Sequence, residues 1–267
     1  SGEVRHYMYD PGDPHSLSDN LVYDILVDSE DTLWVATNSG LNRYDRERDR
    51  FDRFQHYEDD RSSLTSNTVR DLLEDSAGRL WVGTVSGGLL RYHRDGENFE
   101  YYMEEQGLPD NTIFGMVEDY RGRLWISTTD TLAIFTPEEK RFQQVDEDNG
   151  IWAEEFTRGH FRDTEGRVYF GTTEGVYRIV PSDFQRNTHV PPVHLTSFQI
   201  FDREADLEKP FTEIESVTVT HRDRYIAFEF AALDYVSPEK NQYAYMLEGF
   251  DKDWIYSDNR RYASYTN

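Results

Sequence analysis

A repeat of about 44 residues constrains the fold of this chain more than any other feature. Trp34, Trp81 and Trp125 occupy equivalent places in LWVAT, LWVGT and LWIST, and Tyr169 takes that place in VYFGT. Each copy reads as four strands of about five residues separated by turn residues. Such a small sheet cannot bury both faces alone, so the copies must stack around an axis. The pattern predicts β-propeller blades near residues 4–60, 61–105, 106–148 and 149–184.

A turn motif recurs inside each copy. An aspartate ends the first strand of every copy, and a residue that tolerates positive φ follows three positions later. The aspartates are Asp28, Asp75, Asp119 and Asp163, and the following residues are Asp31, Gly78, Gly122 and Gly166. Glycine reaches positive φ at little cost, and aspartate reaches it more readily than most residues. The motif predicts a tight turn before the tryptophan strand.

The two ends of the repeat region differ from its middle. Residues 4–9 (VRHYMY) match the outer strand that precedes the second copy, whereas the fourth copy has three strands before its pattern changes. We therefore expect sixteen strands in all. The first strand either completes the last blade of a small ring, or the blades belong to a larger propeller. We favour the larger propeller, because a ring of four such blades is tight.

A second domain is predicted from residue 189, after a propeller domain over 1–188. The prolines of HVPP end the repeat pattern. Strands are then expected in HLTSFQIF, ESVTVT, YIAFEFAALDY and QYAYMLEGFDKDW, with Ile226, Phe228 and Phe230 on one face. These features predict an immunoglobulin-like β-sandwich. It is incomplete, because such a sandwich usually needs about 100 residues; the remaining strands are absent or come from another chain.

Composition agrees with an all-β fold and excludes several functions. Aromatic residues make up 15% of the chain and suit sheet packing. The formal net charge of −24 argues against nucleic-acid binding and against docking on anionic lipid. The chain has no cysteine, hence no thiolate metal site. We find no spanning hydrophobic segment, catalytic motif or metal motif, and we expect no cofactor.

The copies resemble a known family. The pattern N-x-V-x-x-(I/L)-x-x-D-x-x-G-x-L-W-(V/I)-(G/S)-T-x-x-G-G-L is similar to two-component regulator propeller repeats. The stretch from PPVHLTSFQIF through FEFAALDYVSPEKNQYAYMLEGFDKDWI to YASYTN resembles the Y_Y_Y domain that follows such propellers. The resemblance covers nearly the whole chain and preserves the family's domain order.

The resemblance implies a periplasmic sensor region of an inner-membrane protein. In that family a transmembrane helix, absent from this chain, leads to a histidine kinase or diguanylate cyclase, and several members respond to oligosaccharides. It therefore implies a small-molecule or oligosaccharide ligand, a homodimer formed through the propeller or the sandwich, and no enzymatic activity in this region. Two alternatives stay open: a propeller enzyme, such as a polysaccharide lyase or glycoside hydrolase, and a protein-binding scaffold.

Candidate ligand residues come from a variable position at the start of each inner strand. It lies three residues after Asn20, Asn67, Asn111 and Glu155, and holds Tyr23, Arg70, Phe114 and Arg158. Two aromatic rings and two guanidinium groups around a channel mouth suit a sugar or a carboxylated sugar. The alternative is that Arg70 and Arg158 pair with carboxylates such as Asp71 and that the rings pack internally.

The loop over residues 149–160 adds further candidates. It departs most from the other copies and carries Trp152, Glu154, Glu155 and His160. An exposed Trp152 beside carboxylates would suit sugar binding, and His160 is a further candidate ligand residue. The alternative is that Trp152 packs on the neighbouring blade or on the sandwich. The acidic stretch at 146–150 is expected to be a solvated turn rather than a calcium site.

Overall fold

The protein is all-β. The computed structural model describes residues 2, 4–146, 149–152, 155–184, 191–201, 203–205, 216–220, 223–233, 238 and 241–266. The chain divides into two compact units, Ser1–Gln185 and Arg186–Asn267. No helix among the described residues is long and apolar enough to cross a membrane.

The first unit consists of four antiparallel sheets that follow the sequence repeat. The first sheet contains β1 (Val22–Val27), β2 (Leu33–Thr37), β3 (Gly40–Asp45) and β4 (Arg50–Phe54). The second contains β5 (Val69–Glu74), β6 (Leu80–Thr84), β7 (Leu89–His93) and β8 (Asn98–Tyr102). The third contains β9 (Gly115–Glu118), β10 (Leu124–Ser127), β11 (Leu132–Thr136) and β12 (Arg141–Val145). The fourth contains β13 (Phe156–Arg162), β14 (Val168–Thr172) and β15 (Val176–Ile179). The first strands of successive sheets are neighbours, so they form the inner wall of the propeller.

The repeat tryptophans lie in the core, as the sequence predicts. Trp34, Trp81 and Trp125 are at most 1% exposed. Each indole belongs to a cluster of apolar side chains drawn from its own sheet and the next one. Burial of a large aromatic side chain removes roughly 150–250 Å² from water, worth about 4–6 kcal/mol before opposing terms. Packing between sheets is therefore the main force that joins the blades.

The aspartate turn has the same hydrogen bonds in every blade. One carboxylate oxygen accepts two backbone N–H groups of the turn, and the other accepts the polar group of the tryptophan position. Trp34, Trp81 and Trp125 donate through Nε1 to Asp28, Asp75 and Asp119, and Tyr169 donates its hydroxyl to Asp163. The residues at positive φ are Asp31, Gly78, Gly122 and Gly166, as predicted. The turn thus ties the first strand to the core.

Polar contacts also join neighbouring blades along the inner wall. The carboxylate of Asp24 accepts the backbone N–H of Leu72 at 2.9 Å, and the carboxylate of Asp71 accepts that of Met116 at 2.7 Å. In the third blade Gly115 replaces the aspartate, so this contact ends there. Each aspartate is therefore a link between blades rather than a free acid.

The predicted first strand is not formed. Residues 4–9 pair with no strand of the described chain, so the first unit has fifteen strands there instead of the sixteen expected. Tyr7 packs edge-on against Tyr44 and Phe51 of the first sheet. The fourth sheet keeps three strands, so residues 4–9 do not complete it as one alternative supposed.

The second unit has two small antiparallel sheets. The larger is ordered β17 (Arg203–Glu204), β16 (Val193–Ile200), β18 (Tyr225–Ala232) and β21 (Tyr262–Thr266). The smaller pairs β19 (Tyr243–Tyr245) with β20 (Ile255–Asp258). Ile226, Phe228 and Phe230 share one core cluster, as predicted.

The prediction of one strand in this unit is wrong. The described part of ESVTVT, residues 216–220, forms no strand, although its alternation is that of one. The sequence analysis missed β20 and β21. The predicted domain boundary at His189 and Val190 lies outside the described residues.

Candidate ligand-binding site

The candidate side chains project from the inner wall because the strands there are irregular. The β1–β2 register shifts at Tyr23, and the β5–β6 register shifts at Arg70. In the fourth blade a longer irregularity between Phe156 and His160 holds Arg158. A bulge leaves one residue outside the ladder and redirects its side chain. The variable position is therefore turned out of the blade and toward the axis.

Four of the six predicted residues meet at one cavity. It has a volume of about 280 Å³, close to the lower end of the roughly 300–1,000 Å³ usual for small-molecule sites. Its lining comprises Tyr23, Arg70, Phe114, Glu155, Phe156, Thr157, Arg158 and Thr173. Every blade contributes at least one residue. A ligand in this cavity could contact residues of all four blades.

The two arginines rest on the two aromatic rings. The guanidinium carbon of Arg70 lies 4.3 Å from the ring centre of Phe114, in the next blade. That of Arg158 lies 5.2 Å from the ring centre of Tyr23, so the fourth blade meets the first across the axis. Both distances are within the range of cation–π attraction. The order around the cavity alternates an aromatic residue with an arginine.

The alternative in which these arginines pair with nearby carboxylates is wrong for Asp71. Its carboxylate accepts the backbone N–H of Met116 at 2.7 Å, and one oxygen lies 3.5 Å from Nε2 of His160. Neither Arg70 nor Arg158 forms an ion pair within the described part of the chain. Nη1 of Arg70 is buried and has no hydrogen-bond partner there.

His160 fills a space on the inner wall instead of lining the cavity. A Cβ at Gly115 would lie 2.3 Å from Nδ1 of His160, so the imidazole needs the glycine. Burial raises the pKa of Asp71 well above its usual value, and the charge of Asp24 adds to this effect. Burial also lowers the pKa of His160. Both shifts favour neutral side chains at the axis.

Trp152 is separate from the cavity. Its side chain is 64% exposed, and its backbone N–H donates to the hydroxyl of Tyr177 at 2.9 Å. Packing of this indole on a neighbouring blade is therefore not observed. Glu154 lies outside the described residues, as do Glu147 and Asp148 of the acidic stretch. No cluster of metal-ligating side chains occurs in the described ranges.

Sequence reasoning missed two threonines of the cavity. Thr157 and Thr173 add hydroxyl groups beside Arg158. Thr173 follows the second strand of its blade, and its N–H donates to the carbonyl of Glu155. Thr173 could have been found from the antiparallel pairing within a blade, because this pairing brings the end of the second strand next to the start of the first strand.

Comparison with known proteins agrees with both halves of this architecture. The model of the two component regulator propeller matches residues 16–39, 63–86 and 107–130, and the model of the Y_Y_Y domain matches residues 234–267. The chain thus contains three stretches similar to two component regulator propeller repeats and one similar to the Y_Y_Y domain. Each match begins in the loop before the first strand of a blade and ends after its second strand, so it covers the inner strand and the strand of the repeat tryptophan.

Solved structures extend the likeness of these propeller repeats to nearly the full chain. The extracellular domain of BT3049 from B. thetaiotaomicron, a protein assigned to the hybrid two component systems, is 27% identical with a TM-score of 0.73. The match covers 99% of this chain and 36% of that one. The extracellular domain of BT4673, from the same organism and with the same assignment, is 20% identical with a TM-score of 0.58 and supports the fold. That match covers 97% of this chain and 47% of that one.

A curated relative points to the same class. Histidine kinase P4 of Formosa agariphila is 26% identical over 274 residues, which cover 96% of this chain and 20% of that protein. The propeller and Y_Y_Y chain thus spans about a fifth of its curated relative and about a third of the solved domain of BT3049. Together these likenesses support a sensor role. They say nothing about the type of ligand.

Proposed function

We propose that this chain is the periplasmic ligand-sensing region of a bacterial transmembrane signalling protein, and that it binds a carbohydrate or another small molecule in the cavity at the channel mouth. The observation that carries the proposal is the likeness to the extracellular domain of BT3049 over 99% of the chain. The cavity supports it, because residues from all four blades converge there.

The geometry suggests how binding would be transmitted. Tyr23, Arg70, Phe114 and Arg158 belong to four different blades and meet at one cavity. A ligand that contacts all four favours one arrangement of the blades over others. It shifts that equilibrium only by its difference in affinity for the two arrangements. The output would be a histidine kinase or a diguanylate cyclase, and we propose a homodimer as the signalling unit.

A propeller enzyme receives less support from this site. Hydrolysis of a glycosidic bond usually requires two carboxyl groups that flank the bond. Among the residues lining the cavity, Glu155 is the one carboxylate. Asp71 does not line the cavity, and its carboxylate accepts the backbone N–H of Met116. We therefore propose binding without turnover.

The proposal is tested by binding to the purified chain. A library of mono- and oligosaccharides, organic acids and nucleosides is screened by thermal shift, and hits are measured by calorimetry. We expect a ligand whose affinity falls at least tenfold in Phe114→Ala but not in Arg141→Gln, an exposed position on the outer strand β12. Chromatography of the ligand after incubation checks for turnover. Conversion of the ligand, or equal binding by Phe114→Ala, would contradict the proposal.

A further inference from the structure

The candidate cavity is positively charged in a strongly acidic protein. The chain carries 52 acidic and 28 basic residues. The cavity reverses this balance, because two arginines and one glutamate line it. Charges that oppose the overall charge and converge on a cavity focus counter-ions there.

Several arginines of the propeller are held by the carboxylate of a nearby aspartate, whereas Arg70 and Arg158 are not. Arg79, Arg123 and Arg167 each bind the aspartate of their own turn at 2.6–2.8 Å. Arg70 and Arg158 form no such pair in the described ranges, and Nη1 of Arg70 is buried without an acceptor. A buried donor without a partner costs free energy, so its presence calls for an acceptor that binds from outside.

The aromatic rings supply the geometry that such an acceptor needs. The ring of Phe114 supports the guanidinium of Arg70, and the ring of Tyr23 supports that of Arg158. A stacked guanidinium keeps its N–H groups in its own plane, pointing away from the ring edge, where a planar carboxylate can pair with two of them. The rings thus act as platforms that position the arginines. This differs from the sequence-based expectation that they stack on a sugar.

We propose that the cavity binds a small hydroxylated carboxylate, such as a sugar acid, through Arg70 and Arg158. The inference rests on the proposed function for the location of the site. Glu155, Thr157 and Thr173 also line the cavity and can form hydrogen bonds with the hydroxyl groups of such a ligand.

Matched acidic and neutral sugars test the inference. Glucuronate and galacturonate are titrated into the purified chain by calorimetry beside glucose and galactose, with sulfate as a simple anion. We expect at least one sugar acid to bind and its neutral partner to bind at least tenfold more weakly, a difference of about 1.4 kcal/mol. The affinity should fall as salt is added, because ions screen the attraction. Arg70→Gln and Arg158→Gln should each weaken binding at least tenfold, whereas Arg141→Gln should not.

The positioning role of the rings has its own measurement. Phe114→Leu keeps an apolar side chain but removes the platform, so we expect weaker binding of the acid with little change in melting temperature. Phe114→Tyr should restore the affinity, because it keeps the ring. Equal loss in both variants would contradict the platform.

The possible failures are distinguishable. If neutral sugars bind as tightly as their acids, in a manner that depends on Phe114, the sensing site stands and its preference for carboxylates is wrong. If sulfate binds as well as the acids, the cavity is a general anion site and the preference for hydroxylated carboxylates is wrong. If no acid binds at millimolar concentration, the inference is wrong, and the library screen described above decides the proposed function separately.

Discussion

Replacement of Asp75 by alanine tests the interaction that the repeat motif encodes. The Asp75 side chain is fully buried and accepts four hydrogen bonds. Two come from the backbone N–H groups of Ala77 and Arg79, one from Nε of Arg79 at 2.6 Å, and one from Nε1 of Trp81 at 2.7 Å. Trp81 itself is 1% exposed, so water cannot replace its lost acceptor.

The magnitude follows from which donors water can reach. Ala77 is exposed, so its N–H group exchanges the carboxylate for water at little cost. The indole N–H of Trp81 remains buried and unpaired, which costs about 1–3 kcal/mol. Removal of one partner of the buried pair with Arg79 brings the expected total to about 3–5 kcal/mol. Asp75→Asn should cost nearly as much. If the amide oxygen of the asparagine accepts the two backbone N–H groups, its NH₂ group faces Nε of Arg79 and Nε1 of Trp81, which are also donors.

Urea unfolding followed by tryptophan fluorescence measures the effect. Asp95→Ala, in the exposed turn between β7 and β8, is the control and should stay within about 0.5 kcal/mol of the wild type. A double-mutant cycle with Trp81→Phe isolates the indole bond and should give a coupling of about 1–3 kcal/mol. A cost below about 1 kcal/mol for Asp75→Ala, or a wild-type stability for Asp75→Asn, would refute this account of the motif.

Two further predictions follow from the inner wall and from the turn of the fourth blade. Gly115→Ala places a Cβ 2.3 Å from the imidazole of His160 and should lower the unfolding free energy by about 1–3 kcal/mol, measured by chemical denaturation. Addition of His160→Ala to this variant should recover part of the loss. If the double variant recovers no stability, the clash does not involve His160. Partial burial acts to raise the pKa of Asp163, but hydrogen bonds from Arg167 and Tyr169 lower it to about 2 from 3.8. Because the folded-state pKa is the lower one, ionised Asp163 contributes fully above pH 3.8 and loses its contribution as the pH falls toward 2. The difference in unfolding free energy between wild type and Asp163→Asn should therefore be constant near neutral pH and shrink in acid. Urea unfolding at a series of pH values measures this difference. An equal difference at neutral and acid pH would contradict the prediction.

Local sequence patterns predict the propeller well because each blade is built from short-range interactions. The turn from Asp75 to Gly78 and the strand with Trp81 lie within seven residues, and their hydrogen bonds are made inside that span. The spacing of the copies then requires stacking, since the apolar faces have no other cover. The repeat spacing also predicted that the variable position at the start of each inner strand, which holds Tyr23, Arg70, Phe114 and Arg158, would lie at the channel mouth.

The same patterns fail where the outcome depends on a distant partner. Residues 4–9 and 216–220 have strand-like sequences, but neither stretch pairs with another strand in the described part of the chain. The fit of His160 against Gly115 joins two blades and leaves no periodic signal. The stacking of Arg158 on Tyr23 joins residues that are far apart in the sequence.

The amino-acid sequence by itself determined the repeat, the turn chemistry, the aromatic core between blades and the four residues of the cavity wall. Only the tertiary structure decided what those four residues do to one another. It placed each guanidinium on a ring of another blade and paired the carboxylate of Asp71 with the backbone N–H of Met116. The reason is physical: spacing along the chain sets which face a side chain takes, whereas the choice of its partner depends on distances across the channel, which arise only when the blades pack.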